Sequence, residues 1–154
     1  MLHAALVAFA AYVFVGNLPV QAKPDFTGNW SVVSGLESWG VERLVVTHTS
    51  SAVTVQVTKG TGVSLDSRTY RLDGIESRAE SKDSDGRTVL HTSRVEWIGA
   101  AIAITTTTVT SNGGRYQEFD AYSFDRGGHL VVLRIWTGKT APFMGTSRVA
   151  YKRD

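Results

Sequence analysis

Cysteine is absent from all 154 residues. Its absence excludes disulfides, thiolate zinc sites and a lipid-modified cysteine. Charge is missing from the start of the chain: residues 1–22, MLHAALVAFAAYVFVGNLPVQA, hold no Asp, Glu, Lys or Arg. Long apolar runs are missing too. Ala4 to Val15 is apolar except for Tyr12, which is short for crossing a bilayer, and Pro19 breaks the run. With Val20-Gln21-Ala22 at its end, the segment has the layout of a secretory signal peptide cleaved after Ala22. Against this, Met-Leu-His lacks the usual Lys or Arg, and an uncleaved anchor or a buried helix is the alternative. The expected organisation is a signal peptide at 1–22 and one domain at 23–154, with no transmembrane segment once the leader is removed. An exported chain without disulfides suits a bacterial periplasm or the surrounding medium.

Other absences narrow the function. The formal net charge is +2, and the basic residues are scattered, so there is no electrostatic footprint for nucleic acid. Gly-x-Ser-x-Gly, His-Glu-x-x-His and a phosphate-cradling glycine loop are all missing. No cofactor is implied.

What is present beyond Pro24 is a series of short alternating segments rich in Thr, Val, Ser and Gly. Glu42–Thr49 places Leu44, Val46 and His48 on one face. Ala52–Lys59 does the same with Val53, Val55 and Val57. Ala100–Thr110, AAIAITTTTVT, is dense in β-branched residues that fit a pleated surface. Further strands are expected at Gly28–Val33, Asp66–Leu72, Arg87–Trp97, Arg115–Asp125, His129–Trp136 and Thr146–Lys152, and a polar edge strand at Ile75–Lys82. Asp73-Gly74, Ser84-Asp85-Gly86, Gly99, Ser111-Asn112-Gly113-Gly114 and Arg126-Gly127-Gly128 turn the chain between them. About ten strands joined by short turns predict an all-β, antiparallel up-and-down barrel. An open sandwich is the rival.

The stretch Pro24-Asp25-Phe26-Thr27-Gly28-Asn29-Trp30 resembles the opening of lipocalin-like domains in secreted bacterial proteins, and Gly28-Asn29-Trp30 resembles the Gly-x-Trp of lipocalins and avidins. Tyr70-Arg71-Leu72-Asp73-Gly74 is similar to the aromatic-x-Leu-Asp-Gly hairpin of those domains. Trp97-Ile98-Gly99 with Ile102 and Ile104 is similar to their Trp-Asp-Gly hairpin, with Ile98 in place of Asp. Leu130, Val132 and Arg134, then Val149-Ala150-Tyr151-Lys152, match the closing strands. The resemblance spans roughly all of 23–154 and implies a lipocalin-like, calycin-type barrel without implying an activity.

On this reading Gly28 admits a close backbone approach and Trp30 plugs one barrel end, its indole N–H needing an acceptor. The resemblance implies an arginine stacked across Trp30. Arg148 is the first candidate and Arg153 the second. Arg134 shares the parity of Leu130, Val132 and Trp136; if that face lines the barrel it is a cation in an apolar interior, and the alternative is an outward or internally paired side chain. Its partner is Asp120 or Glu118, or a ligand carboxylate. Arg134, Tyr70, Trp97, Tyr122, Phe124 and Trp136 are the candidate ligand-binding residues, for a small apolar or amphipathic molecule. Glu96 and Glu118 read as outward or ambiguous. His48 and His91 have inward parity, yet neither spacing nor a supporting carboxylate suggests a metal, and separate satisfied side chains are expected. Trp39 in Ser34–Gly40, and Pro142, Phe143 and Met144 in Thr137–Gly145, lie on loops that either contact a partner or fold over a barrel end. Three functions fit: a binding protein without catalysis, a packed structural or interaction barrel, and a barrel-mouth isomerase or lyase.

Overall fold

The computed structural model describes residues 22–34, 43–58, 64–138 and 144–154. The leader before Ala22, the Trp39 loop and the Pro142–Phe143 segment fall outside these residues. The described chain is all β. Its strands are β1 (Gly28–Ser34), β2 (Arg43–His48), β3 (Ala52–Thr58), β4 (Ser64–Arg71), β5 (Ser77–Lys82), β6 (Thr88–Ile98), β7 (Ala101–Val109), β8 (Arg115–Phe124), β9 (Leu130–Gly138) and β10 (Met144–Arg153). Each expected strand is present. β10 begins at Met144, before the expected Thr146.

The strands form one antiparallel sheet in the order β4-β3-β2-β1-β10-β9-β8-β7-β6-β5. Each strand pairs with the next in sequence except β4 with β5, and the join of β1 to β10 brings the first and last strands side by side. The sheet ends, β4 and β5, follow each other in sequence and lie close together. The Arg71 amide donates to Ser77 Oγ across this seam at 3.1 Å. The result is a nearly closed up-and-down barrel. β5 is almost wholly exposed and pairs with β6 at the end of the sheet, as its polar sequence predicts.

Alternation decides which side chains enter the barrel. Trp30, Leu44, Val46, Val53, Val55, Tyr70, Val95, Ile102, Ile104, Tyr122, Leu130, Val132, Val149 and Tyr151 all belong to one buried cluster. Direct cross-strand partners keep the phase: Val46 faces Val55, Ile102 faces Tyr122, and Tyr122 faces Val132. The tight turns obey glycine chemistry. In Asp83–Arg87, Thr110–Gly114 and Asp125–His129 the fourth residue is a glycine with φ between 74° and 80°.

Candidate functional site

One end of the barrel is sealed by the segment that opens the domain. Asp25 Oδ1 accepts from the Thr27 amide at 2.8 Å, a local turn that aims Phe26 inward. Phe26 is 0% exposed and Trp30 1%. The Trp30 indole donates to the Phe26 carbonyl at 3.1 Å, which supplies the acceptor that its burial requires. Phe26 stacks on Phe124 at 5.1 Å and on Trp97 at 6.3 Å between centroids. Lys23 Nζ lies 4.9 Å above Trp97. Phe26 is therefore as much the plug as Trp30, a role the sequence reading did not give it. Its only signal was an apolar residue between two turn formers.

The arginine over Trp30 is Arg153, at 4.7 Å from the ring centroid, and its guanidinium donates to the Thr27 carbonyl at 3.0 Å. This corrects the first choice, Arg148, whose side chain is exposed and whose register partner is Leu133. Register explains the difference: Trp30 pairs with Arg153 on the closing strand. Gly28 lies in the same cluster. A Cβ there would sit 3.2 Å from the Trp30 indole nitrogen and 3.3 Å from Arg153 Nε, at a backbone φ of +157°.

The other end carries charge. Arg134 and Asp120 are direct partners across β8 and β9. Arg134 Nε and Nη2 donate to the two Asp120 oxygens at 2.7 and 2.8 Å, a bidentate pair. Glu118 Oε1 approaches the same Nε at 2.6 Å. Glu118 thus lines the interior with Asp120, as a partner of Arg134, which resolves its outward-or-ambiguous register to inward. The phase of Asp120 and Tyr122 carries Glu118 inward as well. Across the interior on β4, Arg68 pairs with Asp66 at 2.7 Å. The charges of Arg68 and Asp66 act on Glu118.

Burial acts strongly here. It pushes the Tyr70 and Tyr151 hydroxyls up to about 12 and Tyr122 well above its usual value. It also raises the Glu118 carboxyl, against the opposing pull of Arg134. The Arg134 guanidinium loses hydration, but Asp120 and Glu118 more than compensate and hold it protonated. His91 bridges Ser81 Oγ at 2.8 Å and Thr108 Oγ1 at 3.0 Å, with its pKa lowered by burial. Ser93 and Thr106 bond each other at 2.9 Å. His48 accepts from the Phe26 amide at 3.4 Å, at the sealed end. The two inward histidines are therefore satisfied separately. Among the described residues no group of three His, Asp or Glu side chains could hold a metal.

The two ends differ in access. Although inward in phase, the side chains of Arg134, Glu118 and Arg68 keep 30%, 24% and 27% of their surface exposed. The six candidate binding residues are spread along the barrel axis. Trp97 and Phe124 surround Phe26 at the sealed end. Tyr70 and Tyr122 lie midway, and Arg134 and Trp136 belong to the charged end. A separate groove of about 270 Å³ lies on the outer face of β6–β8, between Arg94, Glu96, Thr105 and Phe119. Trp136 rests on the backbone of Gly145, its register partner, where a Cβ would stand 2.0 Å from the ring. Comparison of the chain with protein-family models and with curated proteins finds no match to either.

Proposed function

We propose that the chain is an exported, lipocalin-like barrel that binds a small amphipathic molecule without catalysis, through its charged end. The observation that carries this reading is the contrast between the ends. Phe26 and Trp30 exclude water at one, while Arg134, Glu118 and Arg68 at the other keep a quarter to a third of their side-chain surface wet. A barrel serving only as a rigid body gains nothing from charges in its interior, since each costs several kcal/mol of desolvation. Polar groups converging at the mouth of an apolar cavity are the usual equipment of a small-molecule site. Export follows from the uncharged leader, and the lipocalin-like assignment from the Gly28-Asn29-Trp30 plug and the strand motifs.

Native mass spectrometry of protein purified from its own source tests the reading, combined with titration of the neutral fluorophore N-phenyl-1-naphthylamine. A retained small molecule, or saturable one-site binding weakened by R134M, is the expected result. No retained mass and no saturable binding would leave the packed structural barrel in its place.

A further inference from the structure

We propose that the charged end of the barrel recognises an organic cation, whose ammonium or guanidinium group is taken by the Glu118 carboxylate. This deepens the binding reading above and rests on it. Among the described residues the inward charges at this end are two arginines, Arg68 and Arg134, and three carboxylates, Asp66, Glu118 and Asp120. Asp66 matches Arg68, and Asp120 matches Arg134 with both oxygens. Glu118 is the fifth charge. It shares with Asp120 the one Nε hydrogen of Arg134, which points along the Asp120 bond, so Glu118 gains Coulomb attraction without an aligned hydrogen bond of its own. Its partial burial makes that incomplete satisfaction costly. Burial, with the nearby Asp120 charge, also raises its pKa from the ordinary value, against the pull of Arg134.

Such a site selects by sign. A ligand carboxylate would have to displace Asp120 or Glu118 from Arg134 and would add a second surplus negative charge. A ligand cation supplies the missing donor and offsets the surplus carboxylate among the described residues. Charge-assisted hydrogen bonds to a desolvated carboxylate are the strong kind.

The test is calorimetric titration at pH 7 and low salt with three probes of equal chain length: octylamine, octan-1-ol and octanoate. Octylamine is expected to bind at least roughly tenfold more tightly than octanoate, with octanol between them. E118Q should bring octylamine to the level of octanol, while E118D keeps the preference. Each variant is checked by its melting curve. Equal affinities, octanoate tightest, or an amine preference surviving E118Q overturns the cation assignment and leaves the binding reading standing. Failure of all three probes to bind overturns both.

Discussion

A methyl group at Gly145 would lie 2.0 Å from Cζ2 of Trp136, so alanine there must push the indole off β10. Overpacking of this kind costs about 1–3 kcal/mol. G145A should lose that much in urea unfolding and change the near-ultraviolet dichroism of the tryptophans; unchanged dichroism would mean that the ring does not rest on this glycine. At the sealed end, Arg153 both covers the Trp30 ring and donates to the Thr27 carbonyl. R153M should therefore cost about 1 kcal/mol, and R148M less than about 0.5 kcal/mol because Arg148 is exposed. A larger loss from R148M would reverse the assignment. The choice between these arginines was partly legible in the sequence: Arg153 shares the phase of the inward Val149 and Tyr151, and Arg148 does not. What the sequence could not supply is the register across the closing pair, which sets Arg153 opposite Trp30. That register shifts at a bulge between Val32 and Ser34, which no local pattern announces.

At the scale of elements, legibility was high wherever alternation and turn chemistry agreed. Val53, Val55 and Val57 could face inward in one phase only, and the three hairpins closed by Gly86, Gly113 and Gly128 fixed where each phase restarts. Glu118 was only half legible: it was named as a possible partner of Arg134 yet its own register read as outward or ambiguous, because a carboxylate in an inward phase contradicts hydrophobic expectation. The Asp125 turn shows how a hairpin can be tuned by pH. Asp125 Oδ1 accepts from the amides of Gly127 and His129 at 2.8 and 2.9 Å, and Oδ2 lies 3.1 Å from the His129 ring. The His129 amide, then the His129 ring and the Gly127 amide, hold this carboxyl below its ordinary 3.8. A carboxyl depressed in the folded state contributes stability above its unfolded pKa and loses it as the pH falls through the folded value. D125A should therefore melt below the parent at neutral pH, with the gap closing below pH 3.8. A gap that persists unchanged into acid would show that the aspartate acts by shape alone.

The molecule as a whole gathers its inward tyrosines into one interior. Tyr70 and Tyr122 lie near Asp120, and Tyr151 feels both Asp120 and Arg134. Burial is the largest cause of each upward shift, and the carboxylates add to it. For such acids the sign runs opposite to that of Asp125. The hydroxyl ionises at its ordinary 10.0 in the unfolded chain and only at about 12 in the fold for Tyr70 and Tyr151. Their contribution is complete below pH 10 and is lost as the pH rises toward 12. Each of these two buried side chains represents roughly 2–3 kcal/mol over that window, a large share of the marginal stability of a single domain. Unfolding should accordingly be cooperative in alkali. Absorbance at 295 nm and far-ultraviolet dichroism should change together between pH 10 and 12. The Y70F variant, which cannot ionise at that position, should move the midpoint to higher pH. Tyrosinate appearing well before the loss of dichroism would mean that water already reaches these hydroxyls in the native barrel, and the sealed end would then have to be sought closer to Phe26 and Trp30 alone.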